Sequence, residues 1–127
     1  LFRQMLSHDF AWDTLQMPVN LLDVHFRSFA DEIMPIAEAR NIGIIGMKGL
    51  AQARILEAGV SVEEALGYTL SQPIATLVCG MESVEVLQQN LRIVRDWQPM
   101  ERDEQARLHQ RVAAAAADGH LEEYKTS

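Results

Sequence analysis

The sequence predicts an α/β fold built from parallel βα repeats, and three observations carry that expectation. Strand-like apolar runs begin near positions 14, 42 and 75, and a helical pattern follows each. Their spacing of roughly 30 residues is that of successive βαβ units, which are right-handed and lay parallel strands side by side. The runs are apolar without alternation, which predicts a sheet buried on both faces.

Leu1 to Ser7 reads as the end of a helix with Leu1, Met5 and Leu6 on one face, and HDFAWD as a connector. Thr14 to Val19 is strand-like, the residue before Pro18 being biased towards an extended backbone. Gln16 is its one polar amide, which must be tied to neighbouring backbone or pointed at a ligand if it is buried. Ser28 to Arg40 predicts a helix with Ser28 as N-cap, Asp31 completing the cap, and Phe29, Ile33, Ile36 and Ala37 at helical spacing. Pro35 conflicts with it and should kink the helix or delay its start, while Asn41 suits a left-handed C-terminal position. Ile42 to Met47 is the second strand, whose Gly43 and Gly46 leave room for a close approach. Residues 50 to 60 predict a loop with one or two helical turns. Ser61 and Glu64 form a capping box for a helix that Pro73 terminates.

Ala75 to Asn90 places a short buried strand, a glycine turn and a capped helix in succession, which is the order of a phosphate-binding corner. Ala75 to Cys79 is the strand, Gly80 turns with positive φ, and Ser83 caps the helix from Val84. The first N–H groups of that helix favour an anion over residues 80 to 84. Taken alone, the same pattern also describes a plain βα connection. Leu87, Leu91 and Val94 are expected to face inward. Met100 to Asp118 predicts a last helix, with Leu108 and Val112 inside and Asp118-Gly119 closing it, before a docked or frayed tail.

Composition narrows the function classes. The chain has 127 residues, 48% of them hydrophobic and 23% charged, enough for one domain with a real core. A formal charge of −7 with eleven scattered basic residues argues against nucleic acid and against a membrane surface. No apolar run approaches the ~18 residues of a membrane span, and the N-terminus lacks the pattern of a signal peptide. The single Cys79 fits a reducing cytosol, so a cytoplasmic location is expected. His8, His25, His109 and His120 share no metal-ligand spacing, so no metal site is expected. Three strands are too few for a doubly wound sheet or a barrel, which predicts a partial domain over 1–127, with 100–127 as C-terminal helix and tail.

DTLQMPVNLLD (13 to 23), MPIAEARNIGIIGMKGL (34 to 50) and VSVEEALGYTLSQPIATLVCGMESVEVLQQNL (60 to 91) together resemble the C-terminal half of an aldo-keto reductase. The resemblance also takes in the PM-x-x-x-E segment near Met100 and the closing YK. It implies the last three strands of a (β/α)8 TIM barrel, incomplete in this chain, from a family that reduces carbonyls with a nicotinamide cofactor. Gln16 matches a glutamine that hydrogen-bonds the carboxamide. Met47 stands where many members stack an aromatic on the nicotinamide ring, and its thioether can cover that face less rigidly. Lys48 follows at the strand's carboxyl end, as a cofactor contact or as a solvated or carboxylate-paired lysine. Gly80, Met81 and Ser83 match the loop that approaches the adenosine phosphate, and Gln89 and Asn90 the positions that meet the adenine.

Members that prefer the 2′-phosphorylated cofactor place basic residues where this chain has Glu82, Glu85 and Val86, which tilts the expectation from NADP towards NAD. The other reading has both glutamates pointing outward to favour the helix N-terminus. The family's catalytic Tyr, Lys, Asp and His come from the first half of the barrel. Here the tyrosines are Tyr68 and Tyr124, and neither is expected to pair with Lys48. The resemblance therefore implies an oxidoreductase fragment that binds cofactor, needs a small carbonyl substrate in the complete protein, and is inactive alone. The alternative is a non-catalytic half-barrel that associates with another copy through unpaired strand edges. A third possibility is another barrel enzyme that binds a phosphorylated ligand at the same corner.

Overall fold

In the computed structural model, which describes residues 1–126, three parallel strands form one sheet in the order β1 (Thr14–Pro18), β2 (Gly43–Met47), β3 (Thr76–Leu77). Thr14 lies opposite Gly43, Gln16 opposite Ile45 and Pro18 opposite Met47, while Ile45 lies opposite Thr76. Six helices accompany them: α1 (Phe2–Leu6), α2 (Phe29–Glu32), α3 (Met34–Ala39), α4 (Val62–Leu70), α5 (Val84–Asp96) and α6 (Arg102–Ala116). Three further 3-10 segments cover Asp23–His25, Ala51–Ala58 and Glu123–Lys125. The mixed α/β organisation and its parallel sheet are as the spacing predicts. No described helix is long and apolar enough to cross a membrane.

The sheet is covered on one face only, which corrects the expectation of burial on both. Along β1 and β2 burial alternates: Leu15, Met17 and Ile44 are buried, whereas Thr14 and Gln16 are exposed and Ile45 and Met47 half-buried. The inner set packs with Leu6, Ile33, Met34 and Ala37 into one core. β3 is also shorter and less buried than the run Ala75 to Cys79 suggests. Thr76 is exposed, Leu77 half-buried and Val78 exposed. It pairs with β2 alone, as β1 does, but unlike β1 it places no residue in either core.

Local signals act where they were read. Ser28 Oγ accepts from Asp31 N, and the helix it starts breaks at Ile33 so that Pro35 falls in the first turn of α3. Asn41 takes φ 54°. Ser61 and Glu64 make both bonds of the capping box, and Glu64 also pairs with Arg111 of α6. At Gly46 the space is taken by Ile74, whose Cδ1 lies 3.2 Å from where a Cβ would stand. Gly119 has φ 74°, with the Phe26 ring filling the position of any side chain.

Other expectations fail. Leu1 is 88% exposed, and Phe2 packs edge-on against Phe29 instead. Leu87, Leu91 and Val94 are 39%, 44% and 51% exposed, because α5 turns Asn90 and Ile93 inward and nothing described covers its apolar side. Leu108 and Val112 do face inward, joining Leu21, Leu22, Ile55 and Tyr68 in a second core.

The tail is docked. Lys125 Nζ donates to Asp23 Oδ1 at 2.7 Å, to Asp23 O at 3.2 Å and to Phe26 O at 2.8 Å, and lies 2.9 Å from Glu122 Oε2. Asp23 in turn accepts from Ser28 Oγ and from the first N–H groups of α2, at Phe29 and Ala30. Removing one member of such a buried set strands the others without compensation, at about 3–5 kcal/mol. Lys125→Met should therefore lower stability by an amount in that range, read as a shifted urea midpoint with an unchanged slope. A loss below about 0.5 kcal/mol would show that the cluster is not holding the tail.

His109 of α6 lies beside His25 and Tyr68, at ring separations of 5.9 and 5.2 Å. Burial, with a contribution from His25, holds its pKa below the ordinary 6.5, against a smaller opposing pull from Asp31. The unfolded chain then takes up the proton at higher pH than the folded one. The His109 contribution is complete above about pH 6.5 and is lost as pH falls below that value. Urea midpoints should drop between about pH 7 and pH 5.5, and by less in His109→Gln. An identical drop in the variant would remove His109 as the cause.

Candidate functional site

The carboxyl ends of β2 and β3 open into a cleft of about 590 Å³, closed on its far side by α5. Six residues expected at a cofactor site line it: Gln16, Met47, Lys48, Gly80, Gln89 and Asn90. Met81 and Ser83 do not. Met81 lines a neighbouring apolar groove, and the Ser83 hydroxyl accepts from Val86 N as the cap of α5. Gly80 reaches the cleft without the expected positive φ, which among the glycines belongs to Gly59 and Gly119.

Gln16 is not a buried amide in search of backbone. It stands on the uncovered face of the sheet, and its Nε2 donates to Met47 Sδ at 3.4 Å, so that two of the expected contacts form one surface. Asn90 is 6% exposed; its Nδ2 donates to Cys79 Sγ, and its Oδ1 is buried with no partner among the described residues. An unpaired buried acceptor is costly, which makes Asn90 a strained point of the cleft wall. Burial pushes the Cys79 thiol up in pKa, which keeps it out of thiolate chemistry.

The rim between β2 and Ala58 has a feature with no sequence signal. Lys48, Ala51, Gln52 and Ala53 have φ of 56°, 45°, 59° and 68°, and three of them, Lys48, Gln52 and Ala53, line the cleft. Left-handed backbone at non-glycine residues costs about 1 kcal/mol or more each, and such strain gathers at binding sites. Alanine and glutamine carry no preference that would announce it.

Lys48 also corrects the expectation that no tyrosine meets it. Its Nζ lies 4.6 Å from the centre of the Tyr124 ring. The Tyr124 hydroxyl donates to Glu122 Oε1 and accepts from Asn20 Nδ2. Burial and the neighbouring Glu122 carboxylate drive its pKa far above the ordinary value, so it stays protonated and is a platform for Lys48 rather than an acid facing the cleft.

Glu82, before α5, and Glu85, in its first turn, are both exposed, and of the two only Glu82 lines the cleft. The backbone N–H of Glu85 and the Ser83 hydroxyl hold the Glu85 carboxyl below the usual range, so it serves the helix terminus. The lining therefore offers one cation, one carboxylate, the amides of Gln16, Gln52, Gln89 and Asn90, and apolar walls at Met47, Val78 and Val86. That inventory suits an elongated ligand with an anionic part and a donor-bearing ring. Among the described lining residues there is no Tyr, His or Asp to act as acid or base, and among all described residues no group of three or more side chains is placed to hold a metal. No protein-family model, curated protein or solved structure matches the chain.

Proposed function

We propose that this chain is the cofactor-positioning half of an aldo-keto reductase, its strands being the sixth, seventh and eighth of a (β/α)8 barrel that reduces a small carbonyl compound. The observation that carries the reading is convergence: Gln16, Met47, Lys48, Gly80, Gln89 and Asn90, drawn from three separate βα units, line one cleft at the carboxyl ends of strands, the end at which barrels bind their ligands. The uncovered sheet face with Gln16 and Met47 then corresponds to the barrel interior, and the open edges of β1 and β3 to the joints with the remaining strands.

A bound nicotinamide supplies a hydride, and the chain's own residues orient it. The Gln16 amide would hold the carboxamide, the Met47 thioether would cover the ring face, Lys48 would meet the phosphates, and Gln89 and Asn90 would meet the adenine. Glu82 in the cleft disfavours an added 2′-phosphate, so NAD is preferred to NADP. The described lining residues include no Tyr or His as proton donor, and on this reading the chain alone does not turn over. The single thiol suits the cytosol.

Titration of NADH and NADPH, followed by nicotinamide fluorescence, should show binding with NADH the tighter. Asn90→Ala should weaken NADH about fivefold, the loss of one hydrogen bond. Failure of both dinucleotides to bind would end this reading.

A second reading rests on a different observation. Met81, Leu87, Leu91 and Val94 are exposed together beside the open edge of β3, along a groove of about 320 Å³. Such a face favours association of the chain with a second copy. Light scattering should then give a mass that rises with concentration, and Leu87→Glu with Leu91→Glu should return it to the monomer. A wild-type mass that stays monomeric throughout would exclude it.

A further inference from the structure

We propose that Tyr124, carried by the C-terminal tail, is a positioning residue for the cleft: its ring holds the Lys48 ammonium where it meets the anionic part of a ligand, so that docking of the tail sets the affinity for phosphorylated molecules. The inference deepens the cofactor reading, with which it shares Lys48 and the cleft, and adds the tail as the element that governs them.

Lys48 is the cation among the described lining residues, and it forms no ion pair with any described carboxylate. Its contact is the face of Tyr124, with Nζ 4.6 Å from the ring centre. A carboxylate partner would neutralise the ammonium. The ring's quadrupole attracts it and leaves the full charge for an anion. A lysine on a flexible four-carbon stem loses rotamer freedom when it binds, and a side chain already resting on a ring loses less.

The ring itself is held independently of Lys48. The Tyr124 hydroxyl bonds Glu122 Oε1 and Asn20 Nδ2, and the adjacent Lys125 is clamped by Asp23 and Glu122. The left-handed φ of 56° at Lys48 directs its side chain from the other side of the contact. The ring is thus set by parts of the fold that do not line the cleft, and the lysine by its own backbone. The Tyr124 hydroxyl adds no charge of its own at the contact, because it remains protonated.

Calorimetric titration of the full chain with inorganic pyrophosphate and, separately, with NADH tests this. Lys48→Met should weaken pyrophosphate roughly tenfold, the loss of a charge-assisted contact, and Tyr124→Leu about threefold, the scale of an exposed cation–π pair. The double variant should bind no more weakly than Lys48→Met alone, because Tyr124 acts through Lys48. Tyr124→Phe separates positioning from folding: it keeps the ring and loses the hydroxyl bonds, so the urea midpoint should fall while the affinity is retained. Should Tyr124→Leu fail to fold, proton NMR of the wild type decides instead, since ring-current shielding must move the Lys48 ε-methylene upfield.

Pyrophosphate binding that depends on both residues, with NADH no tighter than pyrophosphate, would support the inference and overturn the nicotinamide reading. NADH binding unaffected by either substitution would do the reverse. An unshifted Lys48 methylene, additive losses in the double variant, or a wild type that binds neither probe would overturn the inference.

Discussion

The ammonium of Lys125, sealed between Asp23, the Phe26 carbonyl and Glu122, is the interaction on which the arrangement of this chain turns. A charge of that kind is tolerated only with its partners in place. Asp23 is simultaneously bound to Ser28 and to the N-terminus of α2. One carboxylate therefore ties the first βα connection to the end of the chain. The Tyr124 ring is set by that tie, and through it the position of Lys48.

The second governing condition is the asymmetry of the sheet. Leu15, Met17 and Ile44 pack against helices, whereas Gln16, Ile45 and Met47 stand on the face that no described helix covers. A single parallel sheet with one bare face and a short edge strand presents both a surface for a ligand and a surface for more polypeptide. The two proposed functions use these separately: the amide and thioether of Gln16 and Met47 serve the cleft, while α5 turns Leu87, Leu91 and Val94 towards whatever covers that side. Asn90 belongs to both, since it lines the cleft and the groove and carries an unsatisfied oxygen at their boundary.

Residue type alone picks out two members of the cleft, and the resemblance supplies Met47, Gln89 and Asn90. Gln16 was conspicuous as an amide in an apolar run, and Lys48 as a cation at a strand's carboxyl end. The resemblance groups Ser83 and Met81 with Gly80, but a helix cap spends the serine hydroxyl on its own backbone, and Met81 lines the neighbouring groove instead. The rim formed by Gln52 and Ala53 and the platform formed by Tyr124 were invisible, since neither depends on residues close by.

What the sequence determined by itself is the succession of strands and helices, their parallel sense and most of their caps. The caps at Ser28, Ser61 and Ser83, the break before Pro35 and the left-handed Asn41 all follow from bonds and steric limits spanning a few positions. Only the tertiary structure decided which sheet face is covered, where α5 points its apolar side, and that Lys125 closes on Asp23 across 102 positions. The physical reason is range: capping and φ preferences act within a turn of backbone, whereas burial and ion pairing are settled by what folding brings into contact.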